Sequence, residues 1–180
     1  MTQRGELTVK DLPERKSIRL KDYNYSQAGY YFITICVNDR KNLLGDIIDG
    51  QLSLSEYGKI VILEIENIST VRRECIIQKY VVMPNHIHMI VQIVGDDGNR
   101  PAEMYEHQQN QRADCHLPLR GSISNMVRGL KGAVTRRLGF SMWQRSFHDH
   151  IIRDEAEYHL IWCYIDENPQ RWNEDCYYTK

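Results

Sequence analysis

Residues 76–94, with the sequence IIQKYVVMPNHIHMIVQIV, give the clearest indication of the fold. It contains two apolar runs, residues 76–83 and 87–94, that are rich in the β-branched residues that strands favour. Pro84 and Asn85 stand between the runs, and proline lacks the backbone donor that a strand interior needs. The stretch therefore predicts two strands that are adjacent in the chain.

Before this stretch the sequence predicts three further strands. Residues 30–37 (YYFITICV) combine aromatic and β-branched side chains, which is typical of a buried strand. Residues 42–54 contain two short apolar runs around Asp49 and Gly50. An Asp-Gly pair between such runs is a strong hairpin signal.

Three helices and one more strand complete the pattern. The predicted helices cover residues 55–71, with Ser55 as N-cap and Ile60, Leu63, Ile65 and Ile68 as apolar positions; residues 122–138, capped by Ser122 or Ser124 and closed by Gly139; and residues 154–168, stopped by Pro169. Residues 147–152 (FHDHII) predict a short strand. Without the hairpin and the last helix the order is βαββαβ. We therefore predict an α+β, ferredoxin-like antiparallel sheet with helices on one face, an extra hairpin and a C-terminal helix.

Length and composition indicate a single domain. The chain has 180 residues, 42% of them apolar, and a mean hydropathy of -0.54. We predict a tail over residues 1–16, a domain over 17–172 with a long loop at 95–121, and a second tail over 173–180. The first thirty residues lack an apolar leader segment and no stretch is long enough to span a membrane, so a cytoplasmic protein without a membrane partner is expected. Its five cysteines form no C-x-x-C pair, which argues against a disulfide framework or a zinc ribbon.

A formal net charge of -1 conceals a basic segment. Residues 119–148 contain no acidic residue, and their basic members are Arg120, Arg128, Lys131, Arg136, Arg137 and Arg145. This pattern fits either an ordinary solvated helix surface or a face that binds nucleic acid.

The strongest chemical signal is the pair His86 and His88. Side chains alternate across a strand, so the two imidazoles are predicted to share one face while Ile87 points into the core. Two such imidazoles can converge on one metal ion. The alternative is one surface histidine and one that bonds a carbonyl group.

A second signal lies in the predicted last helix. Its apolar stripe consists of Tyr158, Ile161, Trp162 and Ile165. Tyr164 lies beside the stripe, and Asn168 follows one turn later on the same edge. The helix can therefore present a phenol and a carboxamide together. The alternative is that Tyr164 is a packing aromatic and that Asn168 only caps the helix.

Four segments resemble a known family in their sequence and order: YYFITICV, VVMPNHIHMIV, MWQRSFHDHIIRDEAEY and YIDENP. They are similar to the HUH single-strand DNA transposases with one catalytic tyrosine, and most closely to the REP-associated tyrosine transposases. The resemblance covers residues 17–172. It implies that His86 and His88 bind a divalent metal, that Tyr164 is the nucleophile, and that Asn168 completes the metal site.

The implied reaction is cleavage and rejoining of hairpin-flanked single-stranded DNA. The phenolate of Tyr164 attacks a phosphodiester, which leaves a 5′-phosphotyrosine and a free 3′-hydroxyl group. Mg²⁺ or Mn²⁺ is the implied cofactor, and imidazole ligands favour Mn²⁺. The implied partner is single-stranded or hairpin DNA. The resemblance is compatible with a monomer or with a homodimer in which Tyr164 acts in trans.

The basic residues gain a role from this resemblance. Arg120, Arg128, Lys131, Arg136 and Arg137 are candidate contacts to DNA phosphates. Arg19, Tyr23 and Tyr25 in the N-terminal arm are candidate contacts to unpaired bases.

Other residues and functions remain as alternatives. His148 and His150 form a second His-x-His pair that could support the metal ligands, bind phosphate or simply line the sheet. The alternative functions are a hairpin-binding protein without turnover and a metal-dependent nuclease that uses water as the nucleophile.

Overall fold

The computed structural model describes residues 28–94 and 123–179. Its strands are β1 (Gly29–Cys36), β2 (Gly45–Ile48), β3 (Gln51–Leu54), β4 (Cys75–Val82), β5 (His86–Ile93) and β6 (His148–Ile152). Its α-helices are α1 (Glu56–Glu66), α2 (Ile68–Val71), α3 (Ile123–Leu138) and α4 (Glu155–Glu167). Within these ranges every helix is too short or too polar to cross a bilayer.

Four strands form one antiparallel sheet in the order β4-β5-β1-β6, and β2 pairs with β3 in a separate hairpin. The first strand of the βαββαβ unit thus lies between the third and the fourth, and the second strand lies at the edge beside the third, as in a ferredoxin-like sheet. The predicted α+β class, antiparallel sheet and extra hairpin are confirmed.

The larger core lies on one face of this sheet. Ile33 of β1 and Met89 of β5 belong to it, together with Val61 of α1 and Val127 of α3. All four side chains are almost completely buried. Helices α1 and α3 therefore cover this face. The predicted placement of the helices of the βαββαβ unit on one face is confirmed.

Helix α4, the additional C-terminal helix, for which the sequence predicted no face, lies on the opposite face. Ile90 of β5, Ile152 of β6 and Ile165 of α4 form a second, smaller core there. Strand β5 is buried on both faces, and burial of its second face requires a covering element. The predicted stripe of α4 packs against this core through its partly buried members, so that prediction is confirmed.

Local signals before α1 are confirmed, with one correction. Asp49 and Gly50 both have positive φ angles, 52° and 73°, as the two-residue turn between β2 and β3 requires. The Ser55 side chain caps α1 by accepting a hydrogen bond from the Gly58 backbone nitrogen. Leu63, however, is 52% exposed, and the buried positions of α1 are Gly58, Val61, Glu64 and Ile65.

Gly58 is expected to tolerate no larger side chain. A Cβ atom at this position would overlap with the backbone oxygen of Leu44 and would lie 2.9 Å from Leu54 Cδ2. We expect Gly58→Ala to lower the free energy of unfolding by about 3 kcal/mol, because backbone must move to make room. Gly132→Ala is the matched control, because the atom that a Cβ would meet there among the described residues is Arg136 Nη1, at an ordinary contact distance of 3.7 Å. This substitution should raise the free energy of unfolding by about 0.5 to 1 kcal/mol, because alanine favours a helix more than glycine does. Urea unfolding of both variants checks this, and equal effects would contradict it.

Several predictions concern residues outside the described ranges. These are Arg19, Tyr23 and Tyr25 of the N-terminal arm, the 95–121 loop and Arg120.

After α4 the chain continues through a short 3-10 helix, Trp172–Glu174, to Thr179. The four cysteines in the described ranges are free thiols.

Candidate active site

His86 and His88 lie on the face of β5 that α4 covers, while Ile87 belongs to the larger core. The predicted alternation is therefore confirmed. Both imidazoles are almost completely buried, and their Nε2 atoms are 2.9 Å apart. Two nitrogen ligands that are each about 2.1 Å from one ion, at right angles, would be about 3 Å apart. The spacing of the two nitrogens fits joint coordination of a metal ion.

The Nδ1 atom of each imidazole has its own partner. His86 Nδ1 lies 2.9 Å from Asn85 Oδ1, and His88 Nδ1 lies 2.8 Å from Thr34 Oγ1. Burial lowers the pKa of His86 to about 3 and the pKa of His88 well below 6.5. Both imidazoles are therefore neutral near pH 7, which is the form that binds metals.

Tyr164 projects from α4 towards His88. Its Oη lies 3.2 Å from His88 Nε2, and the Phe32 ring packs against both residues. The side chain of Tyr164 is half-buried, and the residue is 40% exposed. Burial, reinforced by the Asp175 carboxylate, raises the pKa of Tyr164 to about 12, and a hydrogen bond with Asn168 opposes the increase. The phenol is thus protonated at neutral pH, beside the histidine pair and accessible to solvent.

Two buried oxygens face this site without a hydrogen-bond partner among the described residues. They are Asn168 Oδ1 and Asp175 Oδ2. Buried polar atoms are nearly always paired, and an ion is one explanation for an exception. Asn168 lies at the end of α4, as predicted, and lines a small cavity together with Tyr164 and Asp175.

Asp175 is the site residue that sequence reasoning missed. Its Oδ2 lies 3.7 Å from His86 Nε2, and it contributes a ligand atom to a group with His86 and His88 whose atoms all lie within 4.8 Å of one another. The sequence predicts only a tail over 173–180. The aromatic residues Trp172, Tyr177 and Tyr178 were the available signal, because clustered aromatic side chains seldom belong to a solvated tail.

The segment that carries Asp175 is held against β5 by several contacts. The Tyr177 ring centroid lies 4.6 Å from that of His86. Asn85 Nδ2 donates to the backbone oxygen of Tyr177 at 2.9 Å and contacts Thr179 Oγ1 at 3.2 Å. Arg40 Nη1 donates to the backbone oxygen of Cys176 at 3.0 Å. These contacts place Asp175 beside the histidines.

The second His-x-His pair lies on the same sheet face, two strands away from β5. His148 is paired in register with Thr34, and its ring centroid lies 6.5 Å from that of Tyr177. His150 Nε2 lies 2.6 Å from Glu157 Oε1, at the start of α4. Neither belongs to the candidate metal cluster.

The basic residues of α3 lie away from Tyr164, because α3 covers the other sheet face. Two of them are held by contacts with other elements, and Arg128 Nη2 donates to Asn125 Oδ1 within α3. Lys131 Nζ donates to the backbone oxygens of Gln144 and Ser146, at 2.8 and 2.9 Å, and burial lowers its pKa to about 8. Arg137 forms an ion pair with the buried Glu64. Arg128 and Arg136 line a groove between α2 and α3 together with Arg72.

The buried histidines predict a loss of stability in acid. In the folded state His86 has a pKa of about 3 and His88 is shifted in the same direction, against 6.5 when unfolded. Between pH 6.5 and 3 the unfolded chain therefore binds more protons, so stability falls as the pH falls through this range. From pH 7 to 5.5 we expect a loss of about 1 kcal/mol for each histidine, measured by urea unfolding without metal. A double variant, His86→Gln with His88→Gln, should lose less free energy of unfolding over the same pH range. An equal loss in the double variant would show that these two histidines do not cause the effect.

Comparisons with known proteins identify a relative in sequence and a neighbour in structure. No protein-family model matches the sequence. A Haemophilus influenzae protein, described only as uncharacterized, is 38% identical over 173 residues, which cover 92% of this chain and 93% of its own length. The structure of a REP-associated tyrosine transposase bound to a REP hairpin matches with a TM-score of 0.60 and 22% identity, over 86% of this chain and 73% of that chain. The chain therefore belongs to one family with the Haemophilus influenzae protein and has the fold of a REP-associated tyrosine transposase.

Proposed function

We propose that this protein is a metal-dependent DNA transposase that cuts and rejoins single-stranded DNA beside a hairpin, with Tyr164 as nucleophile. The observation that carries the proposal is the position of the Tyr164 hydroxyl group, 3.2 Å from Nε2 of the buried His88. A phenol beside paired imidazoles suits attack on a phosphodiester that a metal activates. Since Tyr164 contacts a histidine of its own chain, we propose that it acts in cis.

The metal would be held by His86 Nε2 and His88 Nε2, with Asp175 Oδ2 and Asn168 Oδ1 as the oxygen donors. The mixture of imidazole nitrogens and oxygens suits Mn²⁺ better than Mg²⁺, which prefers oxygen ligands. When bound, the metal supplies charge neutralisation at the scissile phosphate and at the leaving oxygen. The two buried oxygens without partners support this assignment, because a cation would compensate both.

The chemical step forms one bond and breaks one. Tyr164 loses its proton to water and its Oη bonds to phosphorus, while the bond from phosphorus to the 3′-oxygen breaks. The leaving oxygen takes a proton and becomes the free 3′-hydroxyl group. The phosphotyrosine ester keeps the bond energy, so a second 3′-hydroxyl group can reverse the step and join a new strand without ATP.

The proposed partner is hairpin DNA, in keeping with the REP hairpin bound to the structural neighbour. Arg128 and Arg136 are the described basic residues of α3 best placed to meet phosphates, because Lys131 and Arg137 are held by contacts with other elements of the fold. Arg72 lines the same groove and adds a third guanidinium group. We place the protein in the cytoplasm, where chromosomal DNA is available and thiols stay reduced.

A cleavage assay tests the proposed function. Single-stranded hairpin oligonucleotides from the DNA flanking the gene are incubated with the protein and Mn²⁺ or Mg²⁺, and denaturing gels are scored for a covalent protein–DNA band. We expect a band that EDTA abolishes. Binding without a band would favour a hairpin-binding protein without turnover. Cleavage without a band would favour water as the nucleophile.

Asp175→Asn should weaken metal binding. The substitution keeps the size of the side chain but removes the negative charge nearest to His86. We expect the Mn²⁺ affinity, measured by calorimetry, to fall about ten-fold to a hundred-fold. Glu174→Gln is the matched control, because the Glu174 carboxylate is exposed and pairs with Arg171. An unchanged affinity in Asp175→Asn, with a loss in Asn168→Ala, would make Asn168 the third ligand instead.

A further inference from the structure

Thr34 is a buried polar residue of β1 to which neither the sequence analysis nor the proposed mechanism assigns a role. Its side chain is 3% exposed, and its Oγ1 lies 2.8 Å from His88 Nδ1. The β1–β5 register pairs Thr34 directly with His88. The direction of this hydrogen bond follows from the contacts around the two imidazoles.

Asn85 determines the tautomer of His86. The amide nitrogen of Asn85 faces the backbone oxygens of Arg40 and Tyr177, at 3.2 and 2.9 Å, so its Oδ1 is the atom that faces His86. An amide oxygen only accepts hydrogen bonds. His86 Nδ1 therefore carries the proton, and the Nε2 of this neutral ring carries a lone pair.

The tautomer of His88 follows from that of His86. The two Nε2 atoms are 2.9 Å apart, and a contact of this length needs one proton between them. Since His86 Nε2 has none, His88 Nε2 carries the proton and donates a hydrogen bond to His86 Nε2. The Tyr164 hydroxyl group, 3.2 Å from His88 Nε2, then accepts from this N–H group and does not donate to it. His88 Nδ1 is then an acceptor, and the Thr34 hydroxyl group donates to it.

We propose that Thr34 is a positioning residue whose hydroxyl group reverses its hydrogen bond to His88 when the metal binds. If His86 Nε2 and His88 Nε2 both coordinated the metal, each would have to offer a lone pair. The single proton of the neutral His88 ring would then have to be on Nδ1. The N–H bond at Nε2 breaks, a new one forms at Nδ1 through water, and no net proton is lost. Thr34 then accepts where it had donated, which a hydroxyl group can do and an amide oxygen cannot. This inference rests on the metal site of the proposed function.

Nitrogen NMR and calorimetry test the inference without DNA. In long-range ¹H–¹⁵N spectra of the metal-free protein, we expect protons on His86 Nδ1 and His88 Nε2. Addition of Zn²⁺, used as a diamagnetic probe, should move the His88 proton to Nδ1. A His88 proton on Nδ1 in the metal-free protein would overturn the proposal, and so would a wild-type protein that binds neither Zn²⁺ nor Mn²⁺.

Variants of Thr34 separate hydrogen bonding from packing. Thr34→Val keeps the shape but has no hydroxyl group, and its Mn²⁺ affinity should fall about ten-fold to a hundred-fold. Thr34→Ser keeps the hydroxyl group and should bind Mn²⁺ within about three-fold of the wild type. Equal affinity in Thr34→Val and the wild type would overturn the proposal. If the metal affinities are as expected but no cleavage is observed, the proposed nuclease function is refuted and the proposed role of Thr34 is retained.

Discussion

Tyr164→Phe will abolish the covalent protein–DNA band and leave the affinity for hairpin DNA and for Mn²⁺ unchanged. The substitution removes one oxygen atom, which is the proposed nucleophile, and keeps the ring that packs on Phe32 and His88. Loss of a nucleophile cannot be compensated by binding, so the rate of adduct formation should fall on the order of 10³-fold or more. Denaturing gels over a time course give this rate, and fluorescence anisotropy gives the DNA affinity.

Two other tyrosines serve as controls. Tyr158 lies on the same helix but packs on Tyr30 and Trp162, away from His86 and His88, so Tyr158→Phe should form the adduct at the wild-type rate. Tyr177→Phe matters more, because the Tyr177 ring also lies beside His86. An adduct that persists in Tyr164→Phe and disappears in Tyr177→Phe would move the nucleophile to the C-terminal segment.

Removal of a histidine ligand is the second large effect. We expect His88→Ala to lower the Mn²⁺ affinity by at least about a hundred-fold, more than loss of a supporting residue would, because it deletes one of two nitrogen donors. The adduct should be lost with it, since the scissile phosphate is then no longer activated. Calorimetry with Mn²⁺ and the gel assay measure the two consequences separately.

His159→Ala is the matched control for this variant. His159 lies on α4, its side chain is 68% exposed, and its imidazole pairs only weakly with Glu155, at 3.7 Å. The His159→Ala variant should bind Mn²⁺ with the affinity of the wild-type protein. His88→Ala also leaves a cavity, so its folding must be checked by thermal unfolding. A folded His88→Ala protein with wild-type Mn²⁺ affinity would refute the metal site.

Spacing within single elements is sufficient to predict two parts of the site. The period of two in a strand places His86 and His88 on one face of β5, and the structure has them there. The period of a helix places Tyr164 and Asn168 on one edge of α4, and both line one cavity. These relations depend on local backbone geometry, which the strand and helix signals of the sequence specify directly.

Charge along the chain is less informative about position. The basic run of α3 suggests one surface for phosphates, but Lys131 bonds two backbone oxygens and Arg137 bonds Glu64. The sequence alone does not distinguish an exposed guanidinium group from one that forms an ion pair with a residue of another helix. Arg128 and Arg136 lie in a groove on the sheet face opposite to Tyr164.

The order of the elements, the hairpin turn at Asp49 and Gly50, and the shared face of the two histidines follow from the sequence alone. The packing of α4 on the second face of β5, and the contacts of Thr34 and Asp175 with the imidazoles, depend on the tertiary fold. Periodicity specifies neighbours within one element, whereas Thr34 reaches His88 through strand register and Asp175 reaches His86 through packing of the C-terminal segment. Such contacts between distant segments follow from burying both faces of β5, and no local pattern encodes them.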